Sequence, residues 1–369
     1  MAEHLYIHIP FCIGKCAYCS FFSVPIEGRD TEAYVEALLR EVEHGKEARF
    51  TTVYIGGGTP TALPRHVLKR LMQGLSSILS LSEEAEFTVE ANPGSLDREK
   101  LVVLRENGVN RLSLGFQSFS RQTLQLLGRI HNEETNRETF LLARESGFDN
   151  INIDLIYGVP GQKMEDVVRD IEIALELEPD HISCYELSLE PGSALYAWYQ
   201  EARFEEETLL RMAESIRSVL ESAGYGRYEV SNYALTGFEC RHNVGYWLGH
   251  DYAAAGAGAV SLENGVRIKR TRDIDEYIGS VKQGKVTVEY RERLDRAAME
   301  REYLMMGLRM RRGIRREEFA RRTGGDLDKY IESIRLLQKE GYVEYGDERL
   351  RVTEKGFPVL NEILLTLYP

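Results

Sequence analysis

The segment "HIPFCIGKCAYCSFF", residues 8–22, carries Cys12, Cys16 and Cys19, which are three of the five cysteines in a chain of 369 residues. Five is an odd and small number for a disulfide-bonded scaffold, and clustered thiols in a reduced compartment more often bind metal. The chain shows no secretory leader and no run of about 18 apolar residues that would span a membrane. We therefore expect a cytoplasmic protein without a transmembrane segment, whose cysteine loop holds a metal centre.

The number of thiols in this loop indicates an open metal site. Zinc and iron–sulfur centres prefer four protein ligands when the site is structural, so three thiols leave one position for another group. From the residues alone, two other interpretations remain: a zinc site that His8 completes, or cysteines without any ligand role. Cys184 lies within an apolar run and is predicted to belong to the core.

Outward from the cysteine loop, short β-rich runs alternate with helical patterns. The runs are "LYIHI", "TVYIG", "EFTVEA", "RLSLGF", "NINIDLIYG" and "HISCYELSL", and helices are predicted near residues 31–48, 64–79, 97–107, 120–146, 164–177 and 205–223. Six such units predict a parallel sheet. Their spacing fits a barrel, a partial barrel or an open doubly wound sheet, and in each case ligands bind at the carboxyl ends of the strands.

The pattern changes near residue 230, where we place a domain boundary between residues 1–230 and 231–369. Residues 231–295 are rich in aromatic residues and glycine and lack a clean helical or strand period. Residues 296–369 contain amphipathic helices followed by two short strands around "GDER", a pattern typical of a winged-helix-like module. In an acidic chain, we interpret this module as a packing or protein-contact element.

The overall charge disfavours nucleic acid as a partner. The chain has 59 acidic and 46 basic residues, and its formal net charge is -13. Such a molecule repels polyphosphate unless a local basic patch is present. The best candidate patch is "RMRRGIRREEFARR", residues 309–322, but Glu317 and Glu318 interrupt it. We interpret this stretch as a solvated helical face and expect no nucleic-acid partner.

A glycine-rich turn, "YIGGGTP" at residues 54–60, follows the second predicted strand. Glycines without side chains allow the backbone to come close to a ligand. Alone, the turn is equally typical of a tight strand-to-helix connection, and it matches neither the dinucleotide-binding nor the P-loop spacing. Its position beside the predicted cysteine loop favours a binding role.

Cys-x3-Cys-x2-Cys after a first strand and Gly-Gly-Gly-Thr-Pro after a second closely resemble the radical S-adenosylmethionine (radical SAM) enzymes. The words "YIHIPFC", "GGGTPT", "EANPG", "RLSLGFQSF", "LGRIH" and "INIDLIYGVPGQ" resemble, in that order, the oxygen-independent coproporphyrinogen III dehydrogenase group of that superfamily. The resemblance covers essentially the whole chain. It implies an α/β fold: a partial (β/α)6 barrel, similar to a TIM barrel, with a smaller C-terminal α+β domain.

The resemblance also implies the cofactors. Cys12, Cys16 and Cys19 would bind three irons of a [4Fe–4S] cluster, and the amino and carboxylate groups of S-adenosylmethionine would chelate the fourth. Reduction of such a cluster would release a 5′-deoxyadenosyl radical, chemistry that the cofactor supplies. The residues implied to contact S-adenosylmethionine are Tyr6, Gly57, Gly58, Thr59, Glu90, Gln117, Arg129 and Asp154. Tyr18 is a weaker candidate, for stacking near the adenine, and no residue is assigned as catalytic.

Two features favour the HemW-like haem chaperone branch of this group. The dehydrogenases typically carry a further cysteine where this chain has Phe21, and the chaperones carry the motif His-Asn-x-x-Tyr-Trp, which is "HNVGYW" at residues 242–247 here. The absence of a long segment before Tyr6 is also similar to the chaperones. Val260 departs from the branch, which usually has histidine there, and Ala254 replaces a common glycine.

This branch implies haem as bound cargo. His242 is the candidate axial ligand, Tyr246 and Trp247 would cover the porphyrin, and Cys240 could compete as a ligand. The resemblance implies a protein that delivers haem to respiratory enzymes or other haem proteins and accepts it from a haem store. The alternative is an oxygen-independent coproporphyrinogen III dehydrogenase, which converts two propionates to vinyl groups and yields protoporphyrinogen IX. No motif indicates the oligomeric state.

Overall fold

The computed structural model describes residues 2–44, 48–189, 193–196 and 204–368. In chain order its strands are β1 His4–Ile9, β2 Phe11–Cys12, β3 Val24–Pro25, β4 Arg49–Gly57, β5 Ser80–Ala91, β6 Arg111–Gln117, β7 Ile151–Tyr157, β8 His181–Glu186, β9 Gly226–Arg227, β10 Asn232–Ala234, β11 Tyr252–Ala255, β12 Val260–Glu263, β13 Val266–Arg270, β14 Val288–Arg293, β15 Ile314–Arg315, β16 Val343–Tyr345 and β17 Arg349–Val352.

The helices alternate with the first strands and then dominate the C-terminal part. They are α1 Thr31–His44, α2 Arg65–Ile78, α3 Arg98–Glu106, α4 Arg121–Leu126, α5 Glu133–Glu145, α6 Met164–Glu176, α7 Glu206–Ser222, α8 Arg241–Trp247, α9 Ile274–Lys282, α10 Arg296–Gly307, α11 Arg316–Thr323, α12 Ile331–Lys339 and α13 Leu360–Leu367. Short 3₁₀ turns lie at Pro60–Ala62, Leu327–Tyr330 and Phe357–Val359. Part of the helix predicted over 31–48, residues 45–47, lies outside the described residues.

The predicted parallel sheet is confirmed. One sheet has the order β14-β13-β12-β11-β1-β4-β5-β6-β7-β8-β10-β9, and strands β1 and β4 to β8 pair in parallel. Helices α1 to α6 form the connections between these six strands. The fold is therefore the expected partial (β/α)6 barrel, and antiparallel strands extend the sheet at both edges.

Period-2 alternation decides which side of each strand carries chemistry. In β1, Leu5, Ile7 and Ile9 are at most 4% exposed and belong to the apolar core that the helices cover. The alternate residues His4 and His8 lie on the opposite side, which faces the inside of the curved sheet. The same alternation in the neighbouring strands gives an apolar layer beneath the helices and a polar barrel interior. Cys184 is in the apolar layer, as predicted.

The single helix predicted over residues 120–146 is wrong. Helix α4 ends at Leu126, and α5 begins at Glu133 after an Asn132 cap whose side chain accepts from the amide of Thr135. Between them, Gly128 has φ of 74°, a left-handed conformation that ends helices. The break matters because the connection between the two helices contains Arg129.

The C-terminal part contributes to two different cores. Strands from residues 231–295 continue the main sheet, since β11 pairs with β1 and β10 pairs with β8. Residues 303–367 instead form a second apolar cluster around the small sheet β15-β17-β16. The helices and two strands predicted after residue 296 are present, and β15 adds a third strand. The domain boundary at residue 230 stays a prediction.

Within the described residues, none of the helices combines the length and the apolar composition that crossing a membrane requires.

Candidate functional site

The cysteine loop begins where β1 ends and closes on itself. Strand β2, which ends at Cys12, pairs in parallel with β3, and the amide of Ile26 donates to the Cys12 carbonyl at 2.8 Å. Inside the loop, the amide of Cys19 donates to the Cys16 carbonyl at 3.2 Å. All three thiols are half-buried at the carboxyl end of β1. Burial raises the pKa of Cys12 and Cys19, so a nearby positive centre is needed to hold them as thiolates.

The break between α4 and α5 docks against this loop. The amide of Ala17 donates to the Leu127 carbonyl at 3.1 Å. A Cβ atom at Gly128 would lie 3.0 Å from the Ala17 nitrogen, so the close approach requires glycine. Immediately afterwards, Arg129 places Nη1 at 3.2 Å from the Cys16 Sγ. The predicted S-adenosylmethionine contact Arg129 is thus held beside the predicted cluster ligands.

A hydrogen-bonded network fixes the Arg129 side chain. Its Nη2 donates to the Asn92 Oδ1 at 2.6 Å and to the Gly115 carbonyl at 2.5 Å. Asn92 donates in turn to the Thr59 Oγ1 at 2.6 Å, and Thr59 donates to the Cys12 Sγ at 3.8 Å. The Arg129 Nε is buried and has no partner among the described residues. A guanidinium with an unused donor fits a carboxylate ligand.

Asn92 is a site residue that sequence reasoning missed. It belongs to the quoted word "EANPG" and directly follows the last residue of β5, Ala91. The available signal was its position, since a polar residue at the carboxyl end of a parallel strand lies at the ligand-binding edge. The prediction included the charged neighbour Glu90 and did not include Asn92.

The backbone amides of the glycine-rich turn already have hydrogen-bond acceptors within the protein. The amides of Gly57, Gly58 and Thr59 donate, in that order, to the Glu90 Oε2 at 3.1 Å, the Ile9 carbonyl at 2.8 Å and the Phe11 carbonyl at 2.8 Å. A Cβ atom at Gly57, which has φ of 110°, would collide with the His8 ring. The glycines therefore permit close packing on β1 and the cysteine loop.

Glu90 is a half-buried carboxyl that has no cationic partner among the described residues. Its oxygens accept from the Tyr54 hydroxyl at 2.8 Å and from the Gly57 amide at 3.1 Å. Burial raises its pKa to about 7, and the charge of Asp154 adds to the effect. A cationic group bound beside Glu90 would restore its ionised form.

Gln117 is the last residue of β6, and Asp154 lies in the middle of the next strand, β7. Gln117 has φ of 67°, a left-handed conformation that costs a non-glycine residue about 1–3 kcal/mol and is common at functional sites. Asp154 accepts from the Ser113 hydroxyl at 2.9 Å and from the Asn152 amide at 2.8 Å. Burial raises the pKa of Asp154. Both residues therefore have fixed positions beside the barrel mouth.

The zinc site completed by His8 finds no support. The ring nitrogens of His8 lie 3.0 Å from the Tyr6 hydroxyl and 2.9 Å from the Phe22 carbonyl, so both are engaged. Among the described residues, no three His, Cys, Asp or Glu side chains surround a single ion position. An iron–sulfur cluster places each thiolate on its own iron, so it does not require such convergence.

The predicted S-adenosylmethionine contacts divide into two groups. Tyr6, Gly57 and Glu90 line a large cavity inside the barrel. The others are outside its lining: Gly58, Thr59, Gln117, Arg129 and Asp154. Tyr18, the weaker candidate for an adenine contact, packs against an apolar cluster that includes Leu127, Ile156 and Val159.

The motif "HNVGYW" forms helix α8, and β5 anchors it. The carboxylate of Glu86, on the inner side of β5, accepts from the amides of Arg241 at 2.8 Å and His242 at 3.0 Å. A carboxylate at this end satisfies free amides and the helix dipole. Cys240 is fully buried against Glu86, and burial raises its pKa to about 12. Cys240 is absent from the cavity lining, so the structure does not favour it as a competing ligand.

His242 is also held inside the protein. Its Nδ1 lies 2.7 Å from the Thr52 Oγ1, and its Nε2 lies 3.0 Å from the Tyr246 hydroxyl. The residue is 1% exposed, and burial lowers its pKa to about 3. In this arrangement neither ring nitrogen of His242 is free to bind iron, and its role as a haem ligand stays a prediction.

The large cavity has a volume of about 1380 Å³ and reaches from the cysteine loop to helices α10 and α11. Its lining includes Tyr246, Trp247, Met305, Met306, Arg321 and Arg322. Arg321 and Arg322 form no ion pair within the described residues. Part of the basic stretch predicted to be a solvated helical face therefore faces this cavity. Val260, the residue that departs from the branch pattern, also lines it.

Comparisons with known proteins agree with this geometry. Residues 6–174 match the model of the radical SAM superfamily, and residues 294–359 match the HemN C-terminal domain. A heme chaperone HemW of Lactococcus lactis is 37% identical over 97% of this chain and 95% of its own length. A heme chaperone HemW of Escherichia coli K12 is 35% identical over 98% of this chain and 96% of its own length.

Among solved structures, coproporphyrinogen III oxidase (HemN) from Escherichia coli superimposes with a TM-score of 0.85 at 24% identity, over 99% of this chain and 90% of that one. This likeness supports the fold. The chain is thus a radical SAM protein with a HemN-type C-terminal domain. Within that class, it belongs to the family of proteins named heme chaperone HemW.

Proposed function

We propose that this protein is a haem chaperone that binds haem and delivers it to haem proteins. The observation that carries the proposal is near-full-length similarity, at 31–37% identity, to proteins that bear the name heme chaperone HemW. The exposed aromatic residue Phe21 stands where the dehydrogenases carry a further cysteine, which also favours the chaperone over the enzyme.

The barrel mouth suits a [4Fe–4S] cluster and S-adenosylmethionine, the cofactors that the superfamily implies. In our proposal Cys12, Cys16 and Cys19 bind the cluster. The unused Nε of Arg129 would pair with the carboxylate of S-adenosylmethionine, and Glu90 would accept from its cationic or hydroxyl groups. When bound, this pair supplies one-electron chemistry at the sulfonium. The chain itself positions the pair and keeps it at the carboxyl ends of the strands.

The large cavity suits haem. Its volume of about 1380 Å³ exceeds the roughly 300–1,000 Å³ of ordinary small-molecule sites. Tyr246 and Trp247 provide flat apolar surfaces, and Arg321 and Arg322 provide cations for two propionates. The buried Trp247 Nε1 has no acceptor among the described residues, so a ligand oxygen would satisfy it.

The partners in this proposal are haem, a haem-storage protein as donor, and respiratory enzymes or other haem proteins as acceptors. We expect this exchange to take place in the cytoplasm. The winged-helix-like module covers one side of the cavity, which is consistent with a packing role and not with nucleic-acid binding.

One experiment separates the chaperone from the dehydrogenase. The protein is reconstituted anaerobically with iron and sulfide, and haem and coproporphyrinogen III are then offered separately with S-adenosylmethionine and a reductant. We expect a stable haem absorption band, transfer of haem to an apo-haem protein, and no vinyl product by chromatography. Formation of protoporphyrinogen IX without haem binding would establish the biosynthetic enzyme.

A further inference from the structure

A chain of hydrogen-bonded side chains runs through the barrel interior and connects two points of the cavity lining. The His250 Nδ1 lies 3.0 Å from the His4 Nε2, and the His4 Nδ1 lies 2.8 Å from the Thr52 Oγ1. The Thr52 Oγ1 then lies 2.7 Å from the His242 Nδ1, and the His242 Nε2 lies 3.0 Å from the Tyr246 hydroxyl. His250 and Tyr246, the two ends, both line the cavity.

The side chains of this hydrogen-bonded series are tightly packed. A Cβ atom at Gly245 would lie 2.7 Å from the His4 Nε2, so the glycine of "HNVGYW" allows His4 to reach His250. Burial lowers the pKa of His4, of His242 and of His250, so all three imidazoles are neutral near pH 7. A neutral imidazole has one donor and one acceptor nitrogen, so every bond in the chain fixes the direction of the next.

Two directions of donation satisfy the chain. In one, Tyr246 donates to His242 and the series ends with a proton on the His250 Nε2. In the other, the His250 Nδ1 donates to His4, His4 donates to Thr52, Thr52 donates to His242, and His242 donates to Tyr246. Only the second direction leaves a lone pair on the His250 Nε2. Metal-bound histidines usually donate their other N–H to a neighbouring group in this way.

His250 differs from His242 in its free nitrogen. The His250 Nε2 has no hydrogen-bond partner among the described residues, and the residue is half-buried at the cavity wall. The positive charges of Arg322 and Arg321 lie close enough to contribute to the lowered pKa of His250. The lining of this cavity combines His250, which has an unused ring nitrogen, with Arg321 and Arg322, which form no ion pair within the described residues, and so offers an iron ligand and propionate partners.

We propose that the Nε2 of His250 binds the iron of haem in this cavity, and that Arg321 and Arg322 pair with its propionates. The inference rests on the proposed function, since it assigns the ligand within the same site. His4 is a positioning residue that selects the tautomer, and His242 acts through Thr52 and His4. The histidine of the "HNVGYW" motif therefore orients the ligand without contacting the iron.

The test uses the full chain loaded with one equivalent of haem and reduced to the ferrous state. Resonance Raman spectroscopy records the iron–histidine stretching mode, and absorption titration gives the haem affinity. We expect H250A to lose the iron–histidine mode and to bind haem at least about tenfold more weakly. A tenfold change in affinity corresponds to about 1.4 kcal/mol. Free imidazole added to H250A should restore the wild-type absorption spectrum. H66A, which removes an exposed histidine, is the matched control.

H242Q separates the two histidines, because it should keep the iron–histidine mode with a shifted frequency. Circular dichroism checks that each variant is folded, and H250Q replaces H250A if the latter is not. Retention of the mode in H250A, whether or not H242Q keeps it, would overturn the assignment to His250. The chaperone function would still stand. A wild-type chain that takes up no haem would overturn the proposed function itself and the assignment with it.

Discussion

The barrel mouth and the histidine chain use polar groups in opposite ways. At the mouth, three thiols are half-buried, the Arg129 Nε has no partner among the described residues, and Gln117 holds a left-handed conformation. Along the chain, His4, Thr52 and His242 are at most 7% exposed, and their polar side-chain atoms are paired. The mouth thus keeps a buried donor without a partner among the described residues, whereas the interior of the histidine chain, from His4 to His242, is fully paired.

This difference separates binding from stability. Groups held ready for a ligand are usually costly to the folded protein, and replacing them often stabilises it. Groups that satisfy one another in the interior stabilise the fold, and removing one partner leaves a buried polar atom unpaired. Substitutions in the two regions should therefore change binding and unfolding free energy in different combinations.

The largest expected effect is at the mouth, in C16A. Loss of one of three protein ligands should abolish the cluster, since the remaining two thiolates leave two irons without protein bonds. Iron and sulfide analysis and the cluster absorption band measure this loss. Haem affinity should be unchanged, because none of the three cysteines lines the cavity that contains His250 and the two arginines. C184A, in the apolar core, is the control and should retain the cluster; loss of cluster and haem together in C16A would contradict the separation.

An intermediate effect is expected where the motif helix is anchored, in E86Q. The substitution weakens the acceptor for the amides of Arg241 and His242 and should lower the unfolding free energy by about 2 kcal/mol. Urea unfolding of the cluster-free protein measures it. E83Q, an exposed position on the same strand, is the matched control. Unchanged stability in E86Q would show that Glu86 does not hold α8 in the barrel.

The smallest expected effect is an increase in unfolding free energy, and it concerns the substitution of Glu90. Burial raises its pKa from 4.5 to about 7, so the neutral form is favoured in the folded state. The stabilisation that protonated Glu90 gives to the folded state is fully present below pH 4.5 and is lost as the pH rises to about 7. At pH 8, E90Q should therefore be more stable than the wild type by about 1–2 kcal/mol, a value reduced for partial exposure.

Urea unfolding of cluster-free wild type and E90Q between pH 4.5 and 8 tests this sign. The two curves should converge at pH 4.5, separate progressively as the pH rises to about 7 and stay apart above it. A variant less stable than the wild type at pH 8 would mean that ionised Glu90 has a favourable partner in the folded protein.

Much of the barrel mouth could be predicted, because the sequence signals for it lie in short segments. Short β-rich runs that alternate with helical patterns identified β1 and β4 to β8, and the cysteine loop and the glycine-rich turn lie where β1 and β4 end. The cysteine spacing and the glycine turn are also short-range features. Asn92 was accessible to the same reasoning, because it follows β5 directly.

The rest depends on contacts between distant residues. The pairing of His4 with His250, and of Glu86 with the amides of α8, joins segments more than 150 positions apart and leaves no periodic signal. The break after α4 had local signals in Gly128 and the Asn132 cap, but the docking of Gly128 against Ala17 is a contact between distant residues. Strands of residues 231–295 were missed because they are only three to six residues long and so carry weak alternation.

The placement of β1 between β4 and β11 has a consequence for biogenesis. His4 pairs with Thr52 on one side and with Tyr252 on the other, so the second edge of the first strand waits for a segment made much later. At about 5–20 residues per second, the roughly 200 intervening residues take about 10–40 s to synthesise. During that interval β1 is paired on one edge only, and its inner face is not yet covered by α8, whose Gly245 packs on His4 in the finished fold.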